Sequence, residues 1–356
     1  MRIVVTGASG NVGTALLRHL AAAPDQHEVV GVSRRRPPEV APYAGVEWVQ
    51  ADLAEPEAAA ALVRALEGAD AVVHLAWGFQ PSHDLEYLDR LGLQGTASVL
   101  EAAVATGVPH VVHMSSLGAY SPRVDDARVD ESWPTAGVPG SSYSLQKAAA
   151  EALLDGYEDR PGLTIARLRP GLVMQAAAAG ALLRYGVPSW VPSAVLRHVP
   201  VLPVDRGLRI QLVHADDVAD AVVRVLDQRA SGAFNLAAEP SVGRDDIAEV
   251  LSATPVHVPR QVLRALVDLS WRLHVQALNP GWIDLAFGVP LMDTGRARSV
   301  LGWAPRRSSL DTLAETLTAM ADGEGADGPV LRPRRFVEQV VSAVRSAGTV
   351  ATRRLP

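Results

Sequence analysis

Short apolar runs and longer stretches of helical period alternate along the first half of the chain. Ile3-Val4-Val5 is a continuous β-branched run, too short for a helix, and it predicts a buried parallel strand. Residues 14–23 follow with apolar positions at helical spacing. The alternation repeats, with strands predicted over residues 28–32, 46–50, 71–76 and 111–114 and helices over 58–67 and 85–106. An alanine-rich run, Ala148 to Leu154, carries helical character onward from Tyr143. Strands alternating with helices in this way predict an α/β fold, a parallel sheet doubly wound by helices on both faces.

The second half is less regular. Residues 176–203 are apolar and proline-punctuated, with Tyr185, Trp190 and few charges, and predict either a cap giving the site an apolar wall or ordinary packing helices. Trp271, Trp282 and Phe287 fall on helix-like spacing and read as core more readily than as a ligand platform. Residues 326–333 read as a linker, 336–346 as a final helix and 347–356 as a tail, and no internal repeat is visible. The division predicted is a core over 1–170, rejoined by 205–239, with a smaller, mainly helical lobe from 171–204 and 240–346.

Composition narrows the chemistry. With 356 residues there is ample material for a core, and a net charge of −6 argues against a nucleic-acid binder. The absence of cysteine excludes disulfides, thiolate metal sites and a cysteine nucleophile, and no metal site is predicted. The first residues lack the apolar core of a signal peptide, and the uncharged apolar stretch after Pro170 is far shorter than the roughly 20 residues of a bilayer span. A cytoplasmic protein is the expectation.

One charge stands apart. The chain has a single lysine, Lys147, among 33 lysines and arginines. It follows Tyr143 by four residues, which places both side chains on one helical face. A phenol with a pKa of about 10 is a poor base near neutrality, and a cation within about 4–6 Å lowers that value. The pair therefore suits proton transfer coupled to hydride transfer, with a surface tyrosine beside a solvated lysine as the plain alternative.

Other segments supply the setting. Gly7, Gly10 and Gly13 lie between the first strand and its helix, where a tight turn, close approach to a pyrophosphate and helix-on-strand packing call for glycine. The second strand ends in Ser33-Arg34-Arg35-Arg36, where an NAD site would place a carboxylate, so NADP is preferred over NAD. Asp52, after the third strand, is a candidate for the adenine amino group or else a helix cap. The end of the fourth strand, Leu75 and Ala76, should lie under the nicotinamide-side ribose, with His74 packed in the sheet rather than catalytic. The fifth ends in Ser115-Ser116, where a hydroxyl faces the ligand crevice of such sheets.

Together these residues resemble the extended short-chain dehydrogenase/reductase superfamily and its NAD-dependent epimerase/dehydratase family. The match runs for about 240 residues from Met1 and weakens thereafter. Thr6 to Gly13 is similar to the dinucleotide loop, including Asn11 and Val12, Asp52-Leu53 to the adenine segment, and Met114 to Tyr120 to the serine segment. Arg167 to Gly171 resembles the strand passing the nicotinamide, which brings Pro170 to the cofactor; Gly232 to Leu236 resembles the last sheet strand, and Leu301 to Pro305 a closing Leu-Gly-Trp-x-Pro turn. The resemblance implies a Rossmann-type fold, Ser116 rather than Ser115 as catalytic serine, Tyr143 as proton donor, and Lys147 as its partner and a ligand of the ribose. It also implies a homodimer paired through helices 85–106 and 143–157.

Three departures shape the expected activity. Gly92 stands where the family's helix-four pattern has asparagine, which puts any proton relay through that residue in doubt. Leu172 to Ala176 lack the asparagine and Tyr-Gly-Pro turn of nucleotide-sugar members, and Leu117-Gly118 replace the acidic pair of dehydratases. The expectation is hydride transfer between NAD(P) and an alcohol or ketone carbon of a small, fairly apolar substrate. A nucleotide-sugar epimerase and a non-catalytic NADP-sensing protein are the alternatives.

Overall fold

The computed structural model describes residues 1–22, 27–78, 81–186 and 191–334. Seven parallel strands form the central sheet: β1 (Arg2–Thr6), β2 (Glu28–Ser33), β3 (Glu47–Gln50), β4 (Ala71–His74), β5 (His110–Met114), β6 (Thr164–Pro170) and β7 (Gly232–Leu236). Their order is β7-β6-β5-β4-β1-β2-β3. Chain order reverses between β1 and β4, which opens a crevice at the carboxyl ends of those strands.

Period-two alternation builds two cores from one strand. Ile3 and Val5 enter the layer shared with Leu16, Val218 and Val222, whereas Val4 enters the opposite layer with Leu62, Val99 and Leu100. All three β1 residues are fully enclosed, as expected of a strand covered on both faces. Helices α1 (Asn11–Ala21) and α7 (Ala215–Gln228) cover the first face; α2 (Ala58–Leu66) and α4 (Gly95–Thr106) cover the second. The predicted helix over 85–106 is interrupted: α3 (Leu85–Asp89) passes through a π-helical turn, Arg90–Gln94, before α4 begins.

Helix α5 (Ser142–Asp155) precedes β6, and α6 (Ala179–Gly186) follows it. Later come α8 (Arg244–Val250), α9 (Arg260–Arg272), α10 (Gly281–Gly288), α11 (Gly295–Leu301) and α12 (Ser309–Asp322), with short strand pairs between them, a mainly helical second part. The segment read as a final helix, 336–346, and the tail lie outside the described residues. No helix among the described residues is long and apolar enough to cross a membrane.

Candidate active site

The site is assembled where β5 ends. Ser115 and Ser116 leave the strand in opposite directions. Ser115 is buried, and its hydroxyl donates to the Glu151 carboxylate at 2.5 Å. Ser116 opens a short 3-10 turn, Leu117–Ala119, and its oxygen accepts from the Gly118 N–H at 2.9 Å. Helix α5 is brought to that turn by its own first residues. Ser141 caps it by accepting from the Ser144 N–H, and the Ser144 hydroxyl donates to the Gly118 carbonyl at 2.5 Å. Tyr143 is thereby set beside Ser116, to which its hydroxyl is hydrogen-bonded.

Burial pushes the Tyr143 phenol up to about 12, and the Ser116 hydrogen bond acts in the other direction. Lys147, one turn along α5, is 2% exposed. Its Nζ donates to the Met114 carbonyl at 2.7 Å and lies 3.4 Å from the centre of the Trp77 indole. Burial draws the ammonium well below the usual lysine value, while Glu151 opposes that shift. The expectation that Lys147 lowers the tyrosine pKa is therefore corrected. Helical spacing does put the two residues on one face, but the carbonyl at the end of β5 and the indole take up the ammonium, and burial dominates the phenol.

Beneath the site lies a closed ionic cluster. Glu151 also accepts from Arg169 Nε at 2.8 Å and from Arg167 Nη1 at 2.9 Å, which joins α5 to β6. Arg169 further donates to the Tyr120 hydroxyl, which donates to Asn235 on β7. His74 is packed in the sheet as expected: its ring nitrogens lie 2.7 Å from Thr6 Oγ1 and 3.0 Å from Thr96 Oγ1, and burial, then Lys147, lowers it to about 3.

The glycine turn fits a dinucleotide. Gly7 has φ +72°, and a Cβ there would stand 2.7 Å from the Ala76 backbone nitrogen, so only glycine lets the turn close on the end of β4. Gly10 begins α1 without a capping side chain, which leaves the N–H groups of the first turn through Gly13 for phosphate oxygens. Leu75 and Ala76 stay partly open beside the turn, and Pro170 closes β6.

Several expected contacts are redirected. The Asn11 amide donates to the Val173 carbonyl and its oxygen accepts from Gln175, so this side chain binds the strand after β6; Val12 packs on the core. Leu53 is a core residue. The Ser33 hydroxyl donates to the Arg35 carbonyl, and Arg35 donates to the Pro329 carbonyl at 3.2 Å, so neither is aimed at a 2′-phosphate. Arg34 donates to the Tyr87 hydroxyl at 2.7 Å, and that hydroxyl donates to Asp52 at 3.0 Å. Asp52 also accepts from the Ala54 N–H within a turn, and the next helix begins only at Ala58 without a capping side chain, so Asp52 does not cap it.

Beside Tyr143 is a narrow crevice of about 10 Å³ lined by Gly78, Ser82, Leu85, Leu88, Ser142, Gln146, Asn279 and Trp282. The Trp282 ring stacks on Tyr143 at 5.5 Å. This aromatic was expected in the core, as Phe287 is, and its place in the site is a tertiary outcome: nothing in its spacing marked it. Of the two readings of 176–203, a cap over the site or ordinary packing helices, the described residues show the second. The described helical turns of that segment pack on α12 and on Leu331, and the crevice wall comes from Gly78, Ser82, Leu85, Leu88, Asn279 and Trp282. Trp190 lies outside the described residues.

A family model for the NAD dependent epimerase/dehydratase family matches residues 3–237. The chain belongs to that family. An uncharacterized protein of Mycobacterium tuberculosis is 28% identical over 323 residues, covering 90% of this chain and 30% of that protein's length. The 2'-dehydrokanamycin reductase of Streptomyces kanamyceticus is 35% identical over 238 residues, covering 65% of this chain and 60% of the reductase. Among solved structures, the Thermus thermophilus UDP-glucose 4-epimerase complex with NAD shares the fold. Its TM-score is 0.67 at 23% identity, over 90% of this chain and 99% of that one. The family member thus has a reductase among its relatives in sequence and an epimerase among its relatives in fold.

Proposed function

We propose that this family member is a nicotinamide-dependent oxidoreductase interconverting an alcohol and a carbonyl on a small, uncharged substrate. The observation that carries the reading is the hydrogen bond between Tyr143 and Ser116 at the edge of the crevice, one helical turn from the lone lysine. A bound nicotinamide supplies or takes up the hydride. In reduction the Tyr143 hydroxyl, protonated at neutral pH, gives its proton to the substrate oxygen, which the Ser116 hydroxyl holds. Lys147 binds the ribose through an N–H left over from Met114. The residues lining the crevice carry no formal charge, which favours an uncharged substrate over a nucleotide diphosphate. The relation to a 2'-dehydrokanamycin reductase supports a reductase over an epimerase.

NADP is the preferred cofactor in this reading, with Arg34 as the residue that would meet the 2′-phosphate. The test is separate titration with NADPH and NADH, followed by a carbonyl panel with nicotinamide absorbance as readout. Tyr143→Phe should abolish turnover while nucleotide affinity stays within about threefold, the pattern of a residue used only in the transition state. Full turnover by that variant overturns the mechanism. Cofactor that stays bound without net NADPH oxidation while a nucleotide sugar is epimerised would replace it with the epimerase, and tight binding without turnover would leave a sensing protein.

A further inference from the structure

Lys147 is a cation held in an unusual way. It is almost fully enclosed, yet among the described residues no carboxylate lies within ion-pair distance of its Nζ. A buried ammonium loses its charge unless something replaces the water it gave up. Two groups do so here: the Met114 carbonyl at 2.7 Å and the face of Trp77 at 3.4 Å. A cation over the face of a tryptophan is stabilised by the ring's quadrupole, most strongly where water is excluded.

The indole reaches that position because a neighbouring helix makes room for it. A Cβ on Gly92 would stand 3.0 Å from Trp77 Cζ2 and 3.1 Å from Cη2. Gly92 lies in the π-helical turn between α3 and α4, whose carbonyl at that residue accepts from the Thr96 hydroxyl at 2.6 Å. The far edge of the space is closed by His113, whose ring meets the indole edge-on at 6.3 Å. The region where the family pattern has asparagine is thus filled by a tryptophan supplied from the end of β4.

We infer that Trp77 is a positioning residue of this site: its indole, admitted by Gly92, caps the helix side of the Lys147 ammonium and aims the remaining N–H of that ammonium at the dinucleotide crevice. The inference rests on the cofactor role proposed for Lys147. Trp77 acts through Lys147, whose ammonium its face covers.

The lone lysine makes the test direct, since lysine-selective isotope labelling yields one side-chain NMR signal from the full chain. In the wild-type protein the Lys147 ε-methylene protons should be displaced upfield by the indole ring current, and the displacement should persist with saturating NADP⁺. Trp77→Leu should abolish it and weaken NADP⁺ binding, measured by calorimetry, by about tenfold. Trp77→Phe, which keeps an aromatic face, should retain part of the displacement and bind NADP⁺ within about threefold of wild type. A lysine signal at its ordinary position in the wild type, or a Trp77→Leu variant with wild-type affinity, overturns the inference. Failure of the underlying reading looks different: the wild-type protein would bind neither NADP⁺ nor NAD⁺, while the upfield signal would still report the indole over the ammonium.

Discussion

Glu151 has no exposed side-chain surface, and two arginines and a serine hydroxyl converge on its carboxylate. Burial pushes that carboxyl up, but Arg169, Ser115 and Arg167 outweigh it and leave it below the ordinary value. Glu151→Gln would leave the buried Arg169 guanidinium without a carboxylate, while Arg167 keeps Asp155 and Glu158, at a cost of about 3 kcal/mol near neutral pH. Urea unfolding measures it. The pH dependence has a definite sign. A carboxyl depressed in the folded state contributes its stability above its unfolded pKa of about 4.3, and that contribution is lost as pH falls through the lower folded value. The gap between wild type and Glu151→Gln should therefore narrow in acid. Sequence alone did not reveal this cluster, because Glu151, Arg167 and Ser115 come together only when α5 docks across β5 and β6. The preference for Ser116 over Ser115, by contrast, came from the serine segment, and the structure is consistent with it in sending the Ser115 hydroxyl to Glu151.

At the scale of elements, the turn between β1 and α1 was readable from three glycines after a β-branched run, and it forms over those residues. Gly7→Ala should both strain a left-handed residue, by about 1–3 kcal/mol, and press a methyl into Ala76. The expected outcome is a lower melting temperature together with loss of NADP⁺ binding by calorimetry, whereas Ala→Gly changes elsewhere on α1 would affect stability alone. The helix over 85–106 was legible as a period but not as an interrupted one. A π-turn inserts an extra residue without altering the apolar composition, so Leu88 and Leu91 stay buried on either register. The arginine loop after β2 shows the opposite failure. Its composition pointed to a phosphate, yet Ser33 and Arg35 are occupied by backbone carbonyls that no local pattern announces.

Across the whole molecule, the last described segments return to the first ones. Trp303 is fully enclosed in the layer of β1, α1 and α7, and its indole N–H donates to the Asp217 carbonyl at 2.8 Å. Gly302, at φ +63°, ends α11 in the left-handed conformation that turns the tryptophan inward. Trp303→Ala should cost about 3–5 kcal/mol in chemical denaturation. Leu331 similarly packs against Ala178 and Ala181, and Arg184 donates to the Arg332 carbonyl at 2.7 Å, so the linker read at 326–333 is a packed strap.

By itself the sequence determined the alternating strands and helices, the glycine turn, and the serine, tyrosine and lysine proposed for the site. Each is written in local pattern: apolar period, a turn that only glycine permits, or a residue type used once. Tertiary structure alone decided what surrounds them. It placed Trp282 on Tyr143, Trp77 on Lys147 and the Ser115 hydroxyl on Glu151, contacts between distant parts of the chain that depend on which faces meet when the sheet closes. Burial, which sets the ionisation of the phenol and the ammonium, belongs to that second class, since it is a property of the neighbours and not of the residue.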